Sequence, residues 1–219
     1  MLSLVEDLKT VPGIRAIVFG GSRARGSGDA SSDTDVGIYY DPRSPLEVAA
    51  LNQVAATHDD RKESGLVTSI GAWGPWINGG GWLRVDGAAV DLLYRDASKV
   101  ESVVETCIAG SIEVAYQPGH PFGFLSAIYA GEISICQPLW DPTGWVASNK
   151  NRLIDYPEAL RKALVRRFGF EARFCERVES IWGSVVKDSE ALAAALAMVR
   201  ELNGELKALV EKEGLRFGE

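Results

Sequence analysis

Three cysteines, two histidines and two methionines are scattered through this 219-residue chain. Cys107, Cys136 and Cys175 are widely spaced and form no C-x-x-C pair. That excludes a disulfide framework and a cysteine zinc site; they read as buried thiols in a reducing compartment. His58 and His120 belong to no motif, and His58, beside Asp59-Asp60, is expected on a surface loop. No stretch approaches 18 apolar residues in a row, so no membrane span is expected. The start of the chain carries Glu6 and Asp7 and lacks an apolar run of signal length, so a cytoplasmic location is expected. Positive charge is also short: Lys and Arg number 23 against 30 Asp and Glu, a net charge of −7. A general nucleic-acid binder would carry a basic stripe, so no nucleic-acid partner is expected. Small or cationic partners fit better. Gly79-Gly80-Gly81 is not a P-loop, because no Gly-Lys-Ser/Thr follows. There is no internal repeat and no low-complexity tract.

What is present is a site layout between two apolar runs. Ile14 to Phe19 and Val36 to Tyr40 both read as strands. Between them lie Gly20-Gly21-Ser22-Arg23-Ala24-Arg25-Gly26 and Ser32-Asp33-Thr34-Asp35. Asp33 and Asp35 are two apart, and side chains at that spacing in a strand share a face. Adjacent carboxylates repel, so a purely structural strand rarely holds them. A divalent cation removes the conflict; Mg²⁺ takes oxygen ligands from one or two carboxylates and substrate phosphates. The alternative is a solvated turn, for which Ser31-Ser32-Asp33 is good chemistry.

The glycines shift that balance. Gly21 allows backbone amides to approach an anion, and a helix beginning near Ser22 would add its dipole. Ser22 adds a hydroxyl; Arg23 and Arg25 add charge suited to phosphate. A third carboxylate, Asp91, sits in the apolar run Ala88 to Tyr94. A lone aspartate there is costly unless paired or on a metal. If its strand lies beside that of Asp35 the three carboxylates meet; the alternative is an edge strand with Asp91 in water.

In order along the chain, GGS, DTD and the later Asp resemble the motifs of the nucleotidyltransferase superfamily typified by DNA polymerase beta. The small bacterial enzymes of the kanamycin and lincosamide type are the most similar in pattern, over roughly residues 14–95. The resemblance implies that Gly21 and Ser22 hold a triphosphate and that Arg25 matches a phosphate-binding arginine. It implies that Asp33 and Asp35 bind two Mg²⁺ ions, with Asp91 completing the second site and helping to activate the acceptor hydroxyl. A general base often comes from the helical half of such enzymes, and Glu132 is the candidate here; a surface glutamate at a helix C-terminus is the alternative.

The rest of the chain supplies a scaffold. Leu2 to Lys9, Leu46 to Ala56 and Leu125 to Ala130 have helical spacing; Ser98, with Glu101 three residues on, forms a capping box for a helix to Ala109. Pro118 to Phe122 reads as a loop and Pro138 to Thr143 as a turn. Trp73, Trp76 and Trp82 fall within ten positions among many glycines. They suit a hairpin that packs its tryptophans under the sheet, or a loop whose aromatics stack a base or cover an acceptor. Long helical patterns run from Tyr156 to Trp182 and from Asp188 or Ser189 to about Glu213. Arg161, Lys162, Arg166, Arg167, Arg173 and Arg177, interleaved with glutamates, read as a solvated face or a phosphate-binding face. Lys150 and Arg152 could reach a triphosphate across a cleft.

The expected fold is α+β: a mixed-sheet nucleotidyltransferase domain over 1–96, with helices on one side, and a helical bundle over 97–219. The expected activity is metal-dependent transfer of AMP from ATP to a hydroxyl of a small molecule, an antibiotic among the options, with release of pyrophosphate. Modification of a protein hydroxyl, as in toxin–antitoxin nucleotidyltransferases, would use the same site. A non-catalytic nucleotide-binding protein would not need three carboxylates.

Overall fold

The structure is a computed structural model that describes residues 2–24, 32–117, 120–154, 157–160 and 162–163. Helix α1, Leu2–Leu8, turns Leu4, Val5 and Leu8 inward. Strand β1, Ile14–Phe19, leads into a short helix α2, Gly21–Ala24. Strand β2, Thr34–Tyr40, starts two residues earlier than the apolar run predicts, so Asp35 belongs to it. Helix α3, Val48–His58, packs through Leu51 and Ala55, and His58 Nε2 lies 2.7 Å from Asp7 of α1.

Strands β3, Gly80–Val85, and β4, Ala88–Asp96, form a hairpin. Its two-residue turn is Asp86-Gly87, with φ of 53° and 78°. Positive φ at both positions gives the turn whose twist matches its strands, which is why Asp-Gly sits there. Helix α4, Ala97–Ile108, follows at once, capped by Asp96, whose side chain accepts from the Lys99 amide. The predicted Ser98 cap is corrected: Ser98 lies inside the helix, because the extended backbone of the strand end makes Asp96 the first residue able to cap.

Strands β5, Val114–Gln117, and β6, His120–Leu125, pair as a separate ribbon where a loop is predicted. Helix α5, Ala127–Ile135, strand β7, Gln137–Trp140, and helix α6, Trp145–Arg152, complete the described elements. Pro138 belongs to β7, not to a turn; β7 is the edge of the sheet, where a missing N–H costs no ladder bond on the open side.

The five-stranded sheet has the order β3-β4-β2-β1-β7 and is mixed: β2 and β4 are parallel, the other pairs antiparallel. Alternation along the strands creates two faces. Val36, Ile38 and Tyr40 of β2, with Val90, Leu92 and Tyr94 of β4, join Leu4, Leu8 and Leu51 in the main core. Tyr39 and Arg95 emerge on the other face and are covered by α5 and α6: the Tyr39 ring meets that of Trp145, and Arg95 lies over the Tyr129 ring. Helices therefore lie on both faces, not one, because both faces carry side chains that need cover. The chain is α+β.

It divides into two compact units, Met1–Leu160 and Arg161–Glu219. Residues 97–160, which the sequence assigns to the helical half, thus lie in the first unit, because β7 returns to pair with β1 and α5 covers the sheet. The helices predicted over 156–182 and 188–213, and the cation row from Arg161 to Arg177, fall outside the described residues apart from 157–160 and 162–163. Among the described residues no helix is long and apolar enough to cross a membrane.

Candidate active site

At the end of β1 the Gly20 amide donates to the Asp35 carbonyl at 2.9 Å, which binds the glycine turn to β2. Gly21 follows with φ of 66°. A Cβ there would sit 1.7 Å from Asp35 Oδ2, so the carboxylate lies against bare backbone. Glycine is required twice, by the left-handed conformation and by this approach. Helix α2 is only four residues long, so its dipole is small. Ser22 is exposed within it. Arg23 Nε donates to the Ser32 carbonyl at 2.8 Å and ties together the ends of the segment between β1 and β2. Arg25 lies outside the described residues.

The parallel pairing of β2 with β4 sets Asp35 directly beside Asp91, on one face. Asp33 precedes the strand and is exposed; the pleat begins at Thr34, which is buried on the opposite side. Asp33 and Asp35 are therefore not successive members of one pleated row, but their charges are coupled. Burial raises Asp35 above the ordinary carboxylate range, and the negative charges of Asp33 and then Glu132 push it further. Burial likewise raises Asp91, helped by Asp33 and Asp35 and opposed by a hydrogen bond from Trp82. The three carboxylates therefore feel one another's charge. No family model and no curated protein matches this sequence.

All three groups offer hard oxygen donors, the chemistry Mg²⁺ prefers. Their mutual repulsion is relieved by a cation. Among the described residues no three His, Cys, Asp or Glu side chains are grouped closely enough to hold a metal ion. The aspartates match such an ion in donor type and charge, not in convergence.

Glu132 approaches from α5. Its Oε1 and Oε2 accept from Arg95 Nη2 at 2.7 Å and Nε at 2.8 Å, a two-pronged pair. Arg95 is 4% exposed and also donates to the Tyr94 carbonyl. Burial works against its charge, but the Glu132 carboxylate outweighs that and keeps the guanidinium protonated. Asp35, Arg95 and Glu132 line one cavity of about 160 Å³ between the sheet and α5, together with Gly20, Gly21 and Cys136. That space is far too small for a nucleotide, whose pockets run to roughly 300 Å³ or more.

Lys150 and Arg152 are held by neighbouring groups of α5 and α6. Lys150 Nζ donates to the carbonyls of Ser134 and Cys136, and Arg152 to Asn149 Oδ1. One site residue, Arg95, carries no mark among the sequence motifs. Arg95 is four residues after Asp91 in the same strand and so on its face, a signal available from periodicity. Trp82 pairs across β3 and β4 with Asp91, and that register follows only from the Asp86-Gly87 turn. The tryptophans differ in burial. Trp76 is buried against Phe124 and Tyr129 and capped by Lys99, 3.8 Å above its ring. Trp82 is 62% exposed beside Asp91.

Proposed function

We propose that the chain transfers a nucleoside monophosphate, AMP from ATP, to a hydroxyl of a small molecule. The observation that carries this reading is the register of Asp35 with Asp91, beside a glycine turn and under the charge of Asp33. The acceptor oxygen bonds to the α-phosphorus while the bond from that phosphorus to its bridging oxygen breaks, and the electron pair leaves with pyrophosphate. The hydroxyl proton passes to the carboxylate nearest the attacking oxygen, the place held by Asp91. Bound Mg²⁺ would be held by Asp35 and Asp91, neighbours in register, with Asp33 drawn in from the start of the strand, and would supply charge neutralisation at the phosphates. Gly21 and Ser22 receive the leaving phosphates on the other side.

Glu132 is assigned a different task from that of a base. Both of its oxygens receive N–H groups from Arg95, so it acts as the counter-ion that keeps a buried cation beneath Asp35. A helical bundle in the C-terminal unit belongs to the same proposal, supported by the apolar spacing of Leu192, Leu196, Val199, Leu206 and Val210. So does a cytoplasmic setting, which suits the free, buried thiols of Cys107 and Cys136.

The test is pyrophosphate release from a panel of nucleoside triphosphates, each incubated with aminoglycosides, lincosamides or a small-molecule extract, with mass detection of the adduct. ATP with Mg²⁺ is expected to give pyrophosphate and a product heavier by one AMP moiety, and chelation to stop both. Full turnover in excess EDTA would remove the metal from the proposal; no adduct with any triphosphate, across all acceptors, would remove the transfer.

A further inference from the structure

Trp82 is large, apolar and open to water, yet firmly held. Trp73 stacks on it with ring centroids 4.7 Å apart and planes inclined by 30°. Trp82 stands opposite Asp91 in the β3–β4 register. Gly80 makes room for the partner, since a Cβ there would come within 2.9 Å of the Trp73 ring. An indole normally gains by covering its 150–250 Å² of surface. Here two rings cover one another and Trp82 remains 62% exposed next to a candidate catalytic carboxylate.

The sheet order places the parts of the site in a row: the glycine turn at the end of β1, Asp35 on β2, Asp91 on β4 and Trp82 on β3. In-line displacement also needs a row, with the leaving oxygen, the phosphorus and the attacking oxygen roughly collinear. With the leaving phosphates at the glycine turn, the attacking hydroxyl falls on the Asp91 side. The remainder of the acceptor then extends over β3. The segment from Gly71 to Trp82 that builds this platform carries no hydrogen-bonding side chains except its indoles and Asn78, which is 8% exposed. A sugar stacked there would find no side chain in this segment to fix its hydroxyls, which at so open a surface stay with water. A flat ring with few polar edges draws its contact from stacking alone.

We infer that the Trp73–Trp82 stack seats the acceptor, and that the acceptor carries an aromatic ring beside its reactive hydroxyl. The inference rests on the nucleotidyl-transfer reading above. It is tested on the full-length protein labelled with 5-fluorotryptophan, which reports on all six tryptophans; the resonance missing from W82F is that of Trp82. The probes are 2-naphthol and methyl β-glucoside, and MgATP binding is followed separately by calorimetry. Naphthol is expected to move the Trp82 resonance, and glucoside to leave it in place. W82A is expected to weaken naphthol binding about tenfold, in line with the loss of one stacking partner, and to leave MgATP affinity unchanged. W82L, apolar but without a ring, serves as the second variant if alanine lowers the melting temperature.

A Trp82 resonance that ignores naphthol, or that answers glucoside as strongly, overturns the aromatic acceptor. Loss of MgATP affinity in W82A and W82L assigns the stack to the nucleotide base and overturns it too. Naphthol binding by a protein that never binds MgATP removes nucleotidyl transfer, and the role of acceptor with it, but leaves the ring-binding site standing.

Discussion

Asp35 and Asp91 hold protons more tightly in the folded protein than in the unfolded chain, because burial and neighbouring carboxylates raise both above the ordinary 3.8. A carboxyl raised in this way favours folding while it is protonated, and loses that contribution as pH rises through the folded-state value. At neutral pH the ligand-free protein therefore bears the repulsion in full. Asp35→Asn and Asp91→Asn are expected to melt at or above the wild-type temperature at pH 7 without ligand. That advantage should shrink as pH falls toward about 3, where carboxyls are protonated anyway. Transfer is expected to fall by orders of magnitude in both. Melting curves across pH, read beside pyrophosphate release, check the two halves together. If both variants melt far below wild type at neutral pH, the aspartates are partners in buried ion pairs, whose breakage costs about 3–5 kcal/mol, and the site is misassigned. Arg95 and Glu132 form an ion pair in the same cavity, so two kinds of carboxylate with opposite expectations are neighbours.

Elements form where local chemistry and tertiary contact agree, and α4 shows how closely they compete. Ser98 with Glu101 spells a capping box, yet the helix begins at Ala97 and Asp96 Oδ1 accepts from the Lys99 amide at 3.1 Å. Strand β4 delivers Asp96 in extended backbone, with φ of −66° and ψ of 111°, which is the conformation a cap needs. Asp96→Ala is expected to cost about 1 kcal/mol, the usual loss of a cap. Ser98→Ala is expected to be neutral or to stabilise by a few tenths, since alanine is the better helix former. Urea midpoints of the two variants decide the matter; a silent Asp96→Ala beside a costly Ser98→Ala would return the helix start to Ser98. Strands β6 and β7 were illegible for a related reason. His-Pro-Phe-Gly-Phe-Leu and Gln-Pro-Leu-Trp lack strict alternation, and both contain proline, so only pairing with β5 and β1 makes strands of them.

Across the whole first unit, residues far apart in sequence finish one another's surfaces. Cys136, Glu132, Trp145 and Tyr129 all cover the face that carries Tyr39 and Arg95. A chain ending after Asp96 would lose them, along with the β7 edge, and would leave the Arg95 guanidinium without its counter-ion. That fragment is expected to aggregate or to melt without cooperativity, whereas a chain ending after Leu160 is expected to give one sharp transition. Calorimetry of the two fragments is the check. Cooperative melting of 1–96 would place the boundary at Asp96, as the change of composition suggests.

Periodicity and turn chemistry alone determined α1, β1, the core of β2, α3 and β4, because each has a clear apolar rhythm bounded by Gly, Pro or Asp. The three aspartates and the glycine turn were also legible, since a carboxylate in or beside an apolar strand and a glycine before a helix are anomalies visible in one dimension. The tertiary structure alone decided the rest. The parallel register of β2 with β4 sets Asp35 against Asp91, and nothing local to either strand encodes that alignment. Pairing across β3 and β4 puts Trp82 beside Asp91, and the packing of α5 on the sheet joins Arg95 to Glu132 over a separation of 37 residues. Such contacts depend on which surfaces remain to be covered once the sheet exists, and burial of that kind is settled by the assembled molecule.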